Sequence, residues 1–128
     1  MFRLNEKDVR GGKCFYYRFD ADIPGDDNAG NFHSVDLWFF FETLAKSWRP
    51  FKGRHYDLAR QMCNYWSNFI RCGDPNGKDA DGSDMPEWRP YRSDDSYGLV
   101  FSDSGIYAQT DDDSQMRSMT DRIINSCV

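Results

Sequence analysis

The sequence predicts an α/β chain of one aromatic strand, three helices and a short hairpin, incomplete as a stand-alone sheet. Three observations carry that prediction. The run Lys13-Cys-Phe-Tyr-Tyr-Arg-Phe19 is rich in β-formers and almost continuously apolar. The run from Ser34 to Trp48 is apolar on nearly every side. From Asp57 onward the apolar residues recur with a clean helical period. A strand that expects neighbours and a helix with no polar face want a larger sheet than these elements supply. The chain therefore reads as one segment, residues 1–128, of a larger fold, and it contains no internal repeat.

The strand over 13–19 follows the turn-formers Gly11-Gly12 and ends in a loop rich in Asp, Pro, Gly and Asn, residues 20–30. Its near-continuous apolar character predicts cover on both faces, or a place inside a sheet. A helix is predicted from Ser34, as its N-cap, to about Trp48, where Arg49-Pro50 breaks it. Being apolar all round, it should be buried. The next helix is capped by Asp57 and places Leu58, Met62, Tyr65, Trp66 and Phe69 on one face. Gly73 suits the residue just past its end, and Asp74-Pro75 stops it. In this face Trp66 and Phe69 pack, while Asn68 ties a loop or caps. Residues 74–87 are a polar loop. Gly98-Leu-Val-Phe101 and Ile106-Tyr-Ala108 predict a hairpin turning through Ser102–Gly105. A last amphipathic helix is predicted from about Asp113 to Asn125, its acidic start favoured by the helix dipole.

Composition narrows the function classes. Lys and Arg total 16 against 21 Asp and Glu, a formal charge of −5, and no basic face is clustered. Nucleic acid is thus not an expected partner. No apolar run reaches the ~18 residues of a membrane span, and no charged-then-apolar leader opens the chain, so no membrane association is expected. Cytoplasmic and secreted locations both stay open. Aromatic residues make up 16% of the chain, which is too many for a disordered one. Cys14, Cys63, Cys72 and Cys127 form no Cys-x-x-Cys pair and read as reduced, mostly buried thiols. Asp74, Asp79, Asp81 and Asp84 surround Gly82, but counting back from that glycine puts Gly77 where a calcium loop needs its first acid. They read as a solvated loop. No metal and no cofactor are expected.

Histidine is scarce, only His33 and His55. His55, just before the helix, reads as a surface or capping residue. His33 lies between a strand-and-loop and the start of an apolar helix, where side chains are often aimed into clefts. Structural histidines outnumber catalytic ones, so position alone favours one that satisfies a backbone carbonyl. No serine has glycine at both −2 and +2, so the Gly-x-Ser-x-Gly elbow of a serine hydrolase is missing from the chain. In that fold the order is serine, acid, histidine, and a C-terminal portion would carry the histidine without the serine.

Four segments then resemble one family. Gly30-Asn-Phe-His-Ser-Val-Asp-Leu-Trp-Phe-Phe40 is similar to the Gly-Ala-x-His-x-x-Glu-Leu block of the type-B carboxylesterases, the α/β-hydrolase family that includes the cholinesterases. Trp66-Ser-Asn-Phe-Ile-Arg-Cys-Gly-Asp-Pro-Asn76 resembles that family's Trp-Thr-Asn-Phe-Ala-x-x-Gly-x-Pro-Asn. Tyr16-Tyr-Arg-Phe19 lies upstream, and Pro86-Glu-Trp-Arg-Pro-Tyr91 is similar to the family's Trp-Pro-x-Tyr. They run in the family's order over about residues 13–101. The resemblance implies a C-terminal segment of a carboxylesterase-type α/β-hydrolase domain, hydrolysing small carboxylic esters by a Ser-acid-His triad. It implies that His33 is the general base and that Asp36, where the family has glutamate, is a supporting carboxylate and not the triad acid. Phe32, Ser34 and Leu37 would border the substrate pocket. Nucleophile, triad acid and oxyanion donors match nothing here, so the upstream part of the same fold is the implied partner and the chain alone is expected to be inactive. A non-catalytic, adhesion-type binding module of the same family is the alternative. Alone, the chain is expected to self-associate through its bare strand and aromatic surface.

Overall fold

The computed structural model describes residues 13–92 and 97–110. Its strands are β1 (Tyr17–Asp20), β2 (Tyr97–Ser102) and β3 (Gly105–Thr110), in the sheet order β1-β2-β3. β2 and β3 form the expected antiparallel hairpin, with Asp103 and Ser104 between the paired Ser102 and Gly105. Gly105 sits at φ 124°, a conformation open to glycine at little cost. β1 runs parallel to β2, with Tyr17 opposite Leu99. All six residues of β2 are buried, so the middle of the sheet is β2.

The expectation for 13–19 is corrected on two points. The strand covers only Tyr17–Asp20, and among the described residues it is an edge, its residues alternately half-buried and exposed. The run that looked continuous is in fact an alternation. Phe15, Tyr17 and Phe19 turn to the core, with ring centroids 5.9 Å from Trp88, 5.8 Å from Phe101 and 4.8 Å from Phe39 respectively. Tyr16 lies on the opposite face, over Gly98, where an added Cβ would collide with its ring. Tyrosine on the outer face disguised a period of two.

The expected helix over 34–48 breaks early. α1 spans Asp36–Phe40 and a 3-10 turn follows at Leu44–Lys46. The break is a Schellman end: Glu42 N–H donates to Phe39 O at 3.1 Å and Thr43 N–H to Trp38 O at 2.9 Å. Glu42 takes the left-handed φ of 49° usually left to glycine. A run of bulky aromatics loses rotamer freedom in a helix, and the bend lets Phe39, Phe40 and Leu44 all reach the core. Burial on every side does not hold: Phe41 is 61% and Trp48 72% exposed. Ser34 is not the cap either. It sits at φ 66°, one residue before the capping Val35.

α2 runs Gly53–Cys72 and so starts before Asp57, which lies inside it and pairs with Arg60 at 2.7 Å. The first turn is closed by His55, whose Nδ1 accepts the Lys52 N–H at 2.9 Å. His55 is thus a capping residue but not a surface one: it is 1% exposed, with Nε2 3.2 Å from Asp22 O. Gly73 ends the helix at φ 75°, as expected. Leu58, Met62 and Tyr65 are buried, while Trp66 is 36% exposed and stacks on Phe69. Asn68 ties the next loop by donating to Pro75 O at 3.3 Å.

That loop is not wholly solvated. The Asp79 side chain is 4% exposed. It accepts from Arg60 Nε at 3.1 Å, Gln61 Nε2 at 3.2 Å, Asn64 Nδ2 at 3.1 Å and the Ala80 N–H at 2.7 Å. One carboxylate thereby pins the loop to three polar side chains within about one turn of α2. Asp81 and Asp84 are exposed, as expected. Cys14 and Cys63 are half-buried and Cys72 is exposed, all three free, so "mostly buried" does not describe them. Cys127 and the helix expected over 113–125 lie outside the described residues. Among the described residues there are two α-helices, not three.

The guanidinium of Arg60, above all, lowers the Asp79 pKa to about 2. A carboxylate depressed in the fold stabilises it fully above the ordinary value near 3.8, and that contribution disappears as pH falls towards 2. Asp79→Ala should therefore cost about 2–3 kcal/mol at pH 7 in urea unfolding, with the gap to the unsubstituted chain narrowing near pH 2.5.

Candidate active site

Because β1 and β2 are parallel, their C-terminal ends open at the same end of the sheet, where loops of parallel sheets commonly place reacting groups. The loop leaving β1 at that end carries His33. Two tight turns hold it: Val35 N–H donates to Phe32 O, and Leu37 N–H to Ser34 O, each at 3.2 Å. Ser34, left-handed at φ 66°, lets the two turns follow without a break. His33 is exposed, and among the described residues its imidazole has no hydrogen-bond or ion-pair partner. It is not satisfying a carbonyl.

Asp36, in the first turn of α1, is anchored from the sheet. Its Oδ2 accepts the Tyr17 hydroxyl at 2.6 Å. Burial, and then the Asp36 carboxylate beside it, push the Tyr17 phenol far above its ordinary pKa. The phenol therefore stays a donor across the working pH range. This partner was not legible from spacing, since residues 17 and 36 meet only because β1 and α1 pack together.

An open cleft of about 490 Å³ lies between this loop and β1. Successive residues from Phe15 to Phe19 line one side of it, so it follows the edge of β1 that is unpaired among the described residues. Phe32, His33 and Asp36 line the other. Ser34 and Leu37 are exposed and stand outside the cleft lining. An exposed, unpaired imidazole on a braced turn can accept and return a proton. Among the described residues no group of three His, Cys, Asp or Glu side chains is placed to hold a metal ion.

Comparison with known proteins places these features in context. A family model described as "Carboxylesterase family" matches residues 2–118. Acetylcholinesterase of Gallus gallus is 33% identical over 85 residues, which is 64% of this chain and 11% of that protein. Carboxylesterase 4A of Bos taurus is 30% identical over 96 residues, 68% of this chain and 16% of that protein. The chain thus spans less than a fifth of the curated relatives it matches. Among solved structures, the Geobacillus stearothermophilus carboxylesterase EST55 superposes with a TM-score of 0.62 at 28% identity, covering 84% of this chain and 22% of that one. An esterase from Clostridium hathewayi gives a TM-score of 0.70 at 20% identity, over 88% of this chain and 21% of that one. That likeness speaks for the fold alone.

Tyr17→Phe keeps the ring in the core and removes only the bond to Asp36. It should lower stability by about 1–2 kcal/mol in urea unfolding at pH 7, with no loss of helical circular dichroism. Asp36→Asn, which keeps an acceptor for the phenol, should cost less.

Proposed function

The chain belongs to the carboxylesterase family, and from that premise we propose that it supplies the general base of a serine-dependent carboxylic-ester hydrolase. In this reading His33 takes the proton from a serine hydroxyl as its oxygen attacks the ester carbonyl, and gives it to the departing alkoxide as the C–O bond breaks. It then takes a proton from water, whose oxygen attacks the acyl-serine, and returns that proton to the serine. No Gly-x-Ser-x-Gly elbow occurs in these residues, so the serine comes from another stretch of polypeptide, together with the triad acid and the oxyanion donors.

One observation carries the reading: among the described residues, the imidazole of His33 is left without a partner on a braced turn, beside a cleft that opens along an unpaired strand edge. A histidine built only for packing would be buried and satisfied, as His55 is. Phe32 would border the acyl or alcohol group of a small ester, with Ser34 and Leu37 on the outer rim. Asp36 supports the turn through Tyr17. The edge of β1, bare among the described residues, and the exposed Phe41 and Trp48 are the surfaces the remainder of the hydrolase would cover. Uncovered, they would drive self-association.

The test is turnover of p-nitrophenyl acetate by the chain alone and by the same chain joined to a nucleophile-bearing upstream segment. The chain alone should match the buffer rate, and the joined form should turn over. His33→Ala should then lower kcat by about 100- to 10,000-fold. Equal turnover with and without His33 would defeat the assignment.

A further inference from the structure

We propose that Arg49 is a positioning residue for His33, a single guanidinium that fastens both ends of the loop on which the imidazole is carried. This rests on the reading of His33 as the base. The loop runs from the end of β1 to α1 without helix or strand of its own, the kind of segment that ordinarily moves. Its order has to come from contacts made across it.

Beside the bonds of Asp22 to Asp103 and His55 and of Asn31 to Phe19, Arg49 makes the contacts that join the two halves of the loop. Its side chain is 7% exposed. Nη1 donates to Pro24 O at 3.0 Å and to Asp27 Oδ1 at 2.9 Å, and Nη2 donates to Asp27 Oδ2 at 2.7 Å. This two-pronged grip fixes orientation as well as distance. The same cation lies 5.4 Å from the centre of the Phe32 ring and 4.7 Å from that of Trp48, within the range of cation–π attraction. Pro24 and Asp27 belong to the first half of the loop. Phe32 immediately precedes His33. One planar group therefore binds the loop's entry by hydrogen bonds and its exit by a ring face.

Two details show that the loop is shaped around this group. Gly25 sits at φ 152°, and a Cβ there would stand 2.6 Å from Arg49 Nη1. Arg49 Nε is buried and unpartnered among the described residues, so the fork is committed to the loop although one donor stays unpaired. A lysine in this place would keep the charge but lose the fork. Arg49 touches no reacting atom; it acts through the placement of Phe32 and the turn that follows.

The test reads that turn directly, by amide hydrogen exchange on the full chain at Val35 and Leu37, whose N–H groups close the two turns around His33. Arg49→Gln should raise exchange at both by tenfold or more, while the amides of Met62 and Tyr65 in α2 stay within threefold. Asp27→Asn, a milder change that removes one prong's charge, should shift them the same way by a smaller factor, and it decides the matter if Arg49→Gln does not fold. In the chain joined to a nucleophile-bearing segment, Arg49→Gln should lower kcat tenfold or more with KM within twofold, and Arg49→Lys should fall between. Unchanged exchange at Val35 and Leu37, or an equal rise at every amide, would overturn the proposal. If His33→Ala leaves turnover intact, the base reading fails, and the exchange result still decides whether Arg49 is the clamp.

Discussion

Tyr17 joins the core to the site. Its ring lies edge-on to Phe40, Trp88 and Phe101 at 5.4, 6.0 and 5.8 Å, while its hydroxyl reaches Asp36 at 2.6 Å. Edge-to-face pairs contribute about 0.5–1.5 kcal/mol each beyond the area they bury. A single hydrogen bond nets about 1 kcal/mol. Packing therefore fixes where Tyr17 stands, and the hydroxyl passes that fixed position on to α1. The parallel pairing of Tyr17 with Leu99 makes this possible, since it brings residue 17 against a strand some eighty positions away.

From that anchor the rest follows in order. β1 leads into a loop that has no periodic structure, and in the proposed function this loop must deliver a histidine to a defined place. It is held from the sheet side by Asp36 on Tyr17 and, from the segment that precedes α2, by Arg49 on Asp27 and Phe32. Between these two restraints the imidazole itself is left unbound among the described residues. That division suits a proton carrier, which needs a fixed location and a free ring nitrogen. His55 shows the opposite use of the same side chain, with Nδ1 closing the start of α2 and Nε2 against the Asp22 carbonyl of the loop after β1.

Much of this was legible in the sequence where local signals agree. The hairpin, the end of α2 at Gly73 and its buried stripe all follow from turn chemistry and helical period. The histidine and its neighbours stood out through resemblance to a family, not through any pattern of their own. What was misread has physical causes. The aromatic run after Val35 promised one long helix, but a left-handed Glu42 ends it after Phe40, and nothing in a glutamate announces that conformation. Tyr16 made an alternating edge strand look like a buried one. Asp79 looked like its solvated neighbours because its partners lie fifteen to nineteen residues back on α2. The grip of Arg49 on Asp27 likewise spans 22 positions and leaves no local trace.

In the proposed function the imidazole at position 33 activates an alcohol supplied by another part of the polypeptide. The most direct measure is the rate at which a fluorophosphonate labels that serine in the assembled hydrolase. The rate should fall about 100-fold or more in His33→Ala, because without its base the hydroxyl is a poor nucleophile. Labelling at the same rate with and without the histidine would contradict the account.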